Sequence, residues 1–489
     1  MILQEIFDII SNMNKKEKSF FVRYAKMYSN DSDKRHYILL YDKIYQQTQE
    51  GRLNEKKLLK QIGSKIDLKN YSNYKRYLHQ QLLQSLVIHH KNANSSMAIN
   101  NAIQTIRVLY SKGLTSIGSR LLKKTKVKAK RLEDFGNLIY IINLQSNVTA
   151  SKNNSYHLLK TERDLAIQQY DQINELHLFN ERCFDFNVKE CFFTLNDPRF
   201  KELYNNPLLA DETKLLSNKA KAYFCMTKSL LLFMACQFEK ARSFQYKILE
   251  IIEKQKIIES TLITVYQNII YQSLFMDDFE TYHFFADKMQ KKVLETPSPF
   301  NMISHQRTLL FYYRITQKHQ EGMDLLDIIG PEYLEQTNRP LNLLESFLVT
   351  EVIPYLCTVK EYAIALNWIN YWHNLPASNF IVRYKLVIKV LEIIVHLELN
   401  NFLLIPHLLN SLKRELKKQI SIGDFERALI DFFNKSSSQF SDTQNYQNLI
   451  QSTLIKIENI GRFPKNTFWF QFFDFKKYLQ QKLQQPLSS

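Results

Sequence analysis

Lysine and arginine crowd one stretch of this sequence, and clustered cations do one kind of chemistry: they neutralise polyanions. Residues 51–135 hold eighteen Lys/Arg against four Asp/Glu, a net of +14, whereas all 489 residues carry +17. A composition rich in Asn, Lys, Ile and Tyr would scatter lysine along the whole chain, so its confinement needs another cause. The residues concerned are Lys65, Lys69, Lys75, Arg76, Arg107, Lys112, Arg120, Lys123, Lys124, Lys126, Lys128, Lys130 and Arg131. Such a cluster raises the local potential and releases counterions from phosphates, so binding depends steeply on salt. RNA, a ribonucleoprotein, DNA or an acidic protein would each satisfy it. The plain alternative is a solvated helix face that keeps the protein soluble. No recognised nucleic-acid module accompanies the cluster. Tyr71, Tyr74 and Tyr77 lie nearby; they could stack on bases, but tyrosines at this spacing more often pack in a core.

Other reactive side chains offer less. The twelve histidines form no HExxH and no pair four residues apart, and the adjacent His89 and His90 face different sides of a helix. The five cysteines form no CxxC, and their apolar helical surroundings suit buried free thiols in a reducing cytoplasm. Phosphate-cradling loops need several glycines close together. Only nine occur in the chain, with no GxGxxG, GxxxxGK[ST] or GxSxG. No catalytic, cofactor-binding or metal-ligating residue is therefore expected. The opening MILQEIFDII carries Glu5 and Asp8 where a signal peptide wants cations. The apolar run Leu230–Cys236 is far too short to span a bilayer. A cytoplasmic protein without membrane insertion is the expectation.

The elements that position the charges read as helices. Tyr74, Leu78, Leu82, Leu86 and His89 form one apolar stripe, leaving Lys75 and Arg76 outside it. Farther on, Leu121/Leu122, Thr125, Ala129 and Leu132 form a seam beside the densest run of lysines.

A turn pattern also recurs: polar residues, a bulky residue, two variable positions, then often a small residue. Its copies include CQFEKA (Phe238, Ala241), DDFETY (Phe279), QKHQEG (His319), KEYAIA (Tyr362, Ala365) and the stretch at Phe402. The bulky residues are 41, 40, 43 and 40 apart. Extending backwards adds Phe200, Tyr156 and Leu114. The flanks of each turn have helical periodicity, as in Ala365, Trp368/Ile369 and Trp372. A lone hairpin cannot cover its own apolar face, so neighbours must stack.

CQFEKA and KEYAIA resemble the turn of a tetratricopeptide (TPR) hairpin, though the period exceeds its 34 residues; HEAT-type hairpins are the near alternative. NKKEKSFFVRYAKMY, YILLYDKIYQQ and KNYSNYKRYLHQQLLQSL resemble an uncharacterised family of bacterial TPR-like proteins. That resemblance assigns no activity. The expected fold is all-α: a right-handed superhelix, or solenoid, of stacked antiparallel hairpins with a period near forty residues. A helical region over 1–95, repeats over 96–440 and capping helices over 441–489 would divide it. The aromatic segment containing Phe468, Trp469, Phe472, Phe473 and Phe475 would form the cap.

The function expected is that of a non-enzymatic scaffold. A concave groove would take a protein partner, and the basic surface would meet RNA, a ribonucleoprotein or DNA. A peptide-sensing or assembly-chaperone protein with no nucleic-acid role is the alternative.

Overall fold

Hairpins in this chain close in one recurring way, and the cause is local. The computed structural model describes residues 2–27, 34–63, 68–92, 94–149, 153–189, 195–330, 345–375, 382–417, 424–439, 443–460 and 472–484. Helix α11 (Asn218–Met234) runs out at Cys236, whose backbone turns left-handed at φ 58°. Gln237 N–H then reaches back to the Leu232 carbonyl at 2.9 Å. The bond satisfies a carbonyl that a helix end otherwise leaves without a partner. Phe238 opens the return helix, α12 (Phe238–Gln255).

The same arrangement follows α13 (Leu262–Leu274), α15 (Pro299–Thr316) and the helices ending at Thr358 and Glu398. Left-handed Asp277, Gln317, Lys360 and Asn400 each stand two residues before the next element. Those elements begin at Phe279 in α14 (Phe279–Glu295), His319 in α16 (His319–Ile329), Tyr362 and Phe402. The near-forty-residue spacing seen in the sequence is thus the spacing of one turn geometry. Two more copies close α6 (Ser95–Ser111) and α7 (Thr115–Arg131), at Gly113 and Glu133.

Backward extension fares differently. Leu114 does precede α7, but Phe200 lies inside the short α10 (Pro198–Tyr204). Tyr156 falls in the first turn of α9 (Asn153–Lys189), whose 37 residues interrupt the spacing.

Three residues past each turn residue, the return helix comes closest to its partner. Ala241, Tyr282, Gly322, Ala365 and Ile405 are buried there. Gly322 has a specific reason: a Cβ would lie 2.1 Å from the Tyr355 hydroxyl oxygen. That hydroxyl donates to the His319 carbonyl at 2.7 Å.

All described elements are helical, with no strand among the described residues, and the helices pack in neighbouring pairs. The chain divides into two compact units, residues 1–167 and 168–489. In the first unit, α1 (Ile2–Asn12), α2 (Lys15–Met27), α3 (Lys34–Gln49), α4 (Glu55–Ile62) and α5 (Tyr71–His90) share one core. Ile6, Phe21, Tyr37, Leu40, Leu78 and Leu82 lie at its centre. The sequence stripe on α5 points inward as read, with Tyr74 and Leu86 packed at the margin. α6 then pairs with α7, and α7 with α8 (Phe135–Thr149). The inward seam of α7 is Gly118, Leu122, Thr125 and Ala129.

In the second unit, hairpins α11/α12, α13/α14 and α15/α16 follow one another. First helices of neighbouring hairpins also touch: α13 with α15, and α15 with the helix over 345–358. Turn aromatics bridge the hairpins. Phe238 stacks on Phe275 (5.0 Å), which meets Phe311 (5.3 Å). Arg242 pairs with Asp278 of the next turn at 2.6 Å. Helix 345–358 widens to a π-helix over Leu348–Val352. Pro354 lacks the N–H that an α-helix would send four residues back to Thr350, and widening relieves the clash of its ring.

Helix Phe475–Gln484 packs on Thr443–Ile460, burying Phe473, Phe475, Tyr478 and Leu479. Phe468 and Trp469 lie outside the described residues. Among the described residues, no helix is long and apolar enough to cross a membrane.

Candidate ligand cavity and basic face

A cavity of about 490 Å³ opens within the second unit. Its wall comes mainly from the first helices of successive hairpins, preceded by α9. Asn180 and Phe184 project from α9, Ser229 from α11, and Gln267, Asn268, Tyr271 and Gln272 from α13. Arg307 and Phe311 belong to α15, while Thr350 and Glu351 belong to the π segment. Gln245 of α12, Tyr384 and Phe472 also line it.

Hydrogen bonds fix these side chains in place. Ser229 donates to the Ala241 carbonyl (2.9 Å) and accepts from Gln245 Nε2 (2.8 Å) and Gln272 Nε2 (3.3 Å). Both carboxamides are thereby oriented, and the Oε1 atom of each is buried without a partner. At the other end, the Tyr271 hydroxyl donates to Glu351 Oε1 (3.0 Å), and Arg307 Nη2 donates to Thr350 Oγ1 (3.1 Å). Arg307 Nε stands 4.0 Å from Glu351 Oε1, beyond hydrogen-bonding reach. Arg307 Nε and Glu351 Oε2 are also buried without a protein partner. Arg314 lies over the Phe311 ring and donates to the Phe472 carbonyl at 2.6 Å, tying the C-terminal segment to α15.

Burial pushes the Glu351 carboxyl above its ordinary range, against the pull of Arg314 and Arg307. Burial works against the Arg307 charge too, but Tyr271 and Glu351 outweigh it and hold the guanidinium protonated. Each buried polar atom left unpaired costs about 1–3 kcal/mol.

The basic residues sit in the first unit. Arg76, Arg107, Lys112, Arg120, Lys123, Lys124, Lys130 and Arg131 are exposed, and Lys128 is half-buried. None of these nine makes an ion pair among the described residues. Two others are engaged internally: Lys126 pairs with Glu162 and reaches Gln145 (2.9 Å), and Lys75 pairs with Glu55 (3.5 Å) over the Tyr71 ring. Lys69 is exposed, and Lys65 lies outside the described residues. Tyr71, Tyr74 and Tyr77 pack against the core of α1–α5, so base stacking is not their arrangement. His90 approaches Glu17 (2.7 Å) while His89 meets Phe20, and the two rings meet edge to face.

Cys183 and Cys225 are buried, and burial pushes each thiol up to about 12. Cys357 is buried likewise, Cys236 occupies a turn, and Cys191 lies outside the described residues. Among the described residues, no three His, Cys, Asp or Glu side chains come together as a metal site.

Reading the sequence missed the cavity. A signal was present: Gln267 and Gln272 interrupt the apolar α13 (LITVYQNIIYQSL), and Glu351 interrupts LVTEV. No family model, no curated protein and no solved structure matches this chain.

Proposed function

We propose that this protein is a non-enzymatic binding scaffold, a TPR-like right-handed superhelix whose second unit holds an extended peptide segment of a partner protein. The observation that carries the reading is a cavity of about 490 Å³ whose wall includes the carboxamide residues Asn180, Gln267 and Asn268. Carboxamides along such a wall offer acceptors to the N–H groups of an extended backbone, which exposes donors along its length. Phe184, Phe275 and Phe311 supply apolar wall between them. The stacking of like helices around the cavity supports the superhelix, and the free cysteines suit a reducing, cytoplasmic setting.

The test uses the purified full chain and a random-sequence heptapeptide pool, separated by gel filtration, with retained peptides identified by mass spectrometry. The protein is expected to retain a subset that an Asn268→Trp variant, with its cavity filled, does not. Equal retention by both proteins refutes the reading.

Nine unpaired cations favour a second activity, the docking of the first unit on a polyanion such as RNA, a ribonucleoprotein or DNA. Binding of a 30-base RNA should fall with salt at a slope of about 0.7 per neutralised phosphate. Reversing Lys123, Lys124, Lys128 and Arg131 to Glu should abolish it. Binding that survives the reversal leaves the basic face as a solubilising surface.

A further inference from the structure

Charge on α7 is arranged as well as concentrated. At about 100° per residue, Arg120, Lys123, Lys124, Lys130 and Arg131 spread over an arc of about 120°. That arc lies on the side opposite the buried seam of Gly118, Leu122, Thr125 and Ala129. All five cations are exposed. Val127 stands at the middle of the arc and is 70% exposed, and among the described residues nothing covers this face. No Asp or Glu occurs between Asp67 and Glu133, so no acid on α7 offsets the cations.

Along the axis the cations fall into two groups. Arg120, Lys123 and Lys124 form one, Lys130 and Arg131 form the other, and Val127 occupies the gap. At a rise of 1.5 Å per residue the centres of the two groups are about 12 Å apart. The major groove of B-form DNA is about 12 Å wide between its phosphate rims. A helix laid across that groove sets one group on each rim, with Val127 over the opening.

Other nucleic acids fit less well. The major groove of A-form RNA is deep and narrow, so its rims do not match this spacing. Single strands are held by successive aromatic rings on which bases stack. α7 carries no ring. On the flanking helices, Tyr110 packs against Gly118 and Phe135 is buried, leaving Tyr140 exposed. One ring gives no platform for successive bases.

Resting on the polyanion reading above, we infer that α7 docks double-stranded DNA, bridging the major groove through phosphates on both of its rims.

The experiment titrates the full chain, by fluorescence anisotropy, with a labelled 30-base-pair DNA duplex, one of its single strands and the RNA duplex of the same sequence. The DNA duplex should bind about tenfold tighter than either of the others. Polyglutamate of equal charge should not displace it. Five phosphate contacts give a salt slope of about 4 to 5, so affinity should fall about 500-fold between about 50 and 200 mM salt. Lys123→Gln combined with Lys124→Gln removes most of one group; it should lower the slope by about 2 and erase the preference for the DNA duplex. Val127→Glu sets a like charge over the groove and should weaken the DNA duplex about tenfold without moving the thermal midpoint. It decides the matter if the double variant does not fold. Equal affinity for duplex and single strand, tighter binding of the RNA duplex, displacement by polyglutamate, or binding unmoved by either variant overturns the inference alone. Binding of none of the three nucleic acids at about 50 mM salt overturns the polyanion reading, and this inference with it.

Discussion

Replacing Gly322 by Ala tests the packing of the hairpins at its tightest point. Gly322 occupies the first turn of α16, where alanine is intrinsically better by about 1 kcal/mol. Propensity alone therefore predicts a more stable protein. The contact predicts the opposite. The new methyl would lie 2.1 Å from the Tyr355 hydroxyl oxygen and 2.2 Å from Cζ, and Tyr355 is fully buried. Moving the ring surrenders its bond to the His319 carbonyl, a loss of about 1 kcal/mol. Overpacking of the surrounding core adds about 1–3 kcal/mol. The balance is a net loss of about 1–3 kcal/mol. Urea unfolding followed by tryptophan fluorescence reads it, because Trp368 and Trp372 share the core that contains Tyr355. Removing the hydroxyl with Tyr355→Phe should make the glycine substitution less damaging in the double variant. An unchanged or higher urea midpoint for Gly322→Ala would show that the close approach does not govern this position.

Acid should loosen the second unit through Asp278. Burial raises its carboxyl, but the Thr281 N–H and Arg242 outweigh burial and hold it below its ordinary range. Such a group stabilises the fold fully above the unfolded pKa of about 3.9, and the contribution disappears as pH falls through the lower folded value. Thermal midpoints should therefore drop between about pH 5 and pH 3, and less steeply in Asp278→Asn; an identical slope refutes the assignment. A turn provides the other check. Gln317 is left-handed at φ 56°, which costs a side-chain-bearing residue about 1–2 kcal/mol, while glycine forfeits about 0.5–1 kcal/mol of chain entropy. Gln317→Gly should thus raise the urea midpoint slightly, by about 0.5 kcal/mol, and a loss would refute the account of the turn.

The turns were legible in the sequence because they are local. Phe238, Phe279, His319, Tyr362 and Phe402 each follow a left-handed residue by two positions, and that geometry repeats wherever the hairpin repeats. Phe200 and Tyr156 misled because bulky residues inside a helix, the short α10 or the long α9, satisfy the same loose pattern. The seam of α7 was legible for a similar reason: burial and charge alternate at helical spacing on one element. The cavity was not. Gln245, Gln272, Arg307 and Glu351 belong to four helices, and each alone resembles an ordinary polar residue on a helix. Only packing of the hairpins brings them together, and no periodicity in the chain encodes that meeting.

The bond from Arg314 to Phe472 joins positions 158 residues apart and puts the Phe472 ring into the cavity wall. Occupancy and docking of the C-terminal helix are consequently two faces of one equilibrium. Any molecule that rests against Phe472 holds Phe475–Gln484 down by the same free energy with which the docked helix favours that molecule. A protease that attacks this helix only when it lifts would cut more slowly in the presence of ligand. Conversely, a factor that pulls the helix away would discharge the cavity without ever touching its contents.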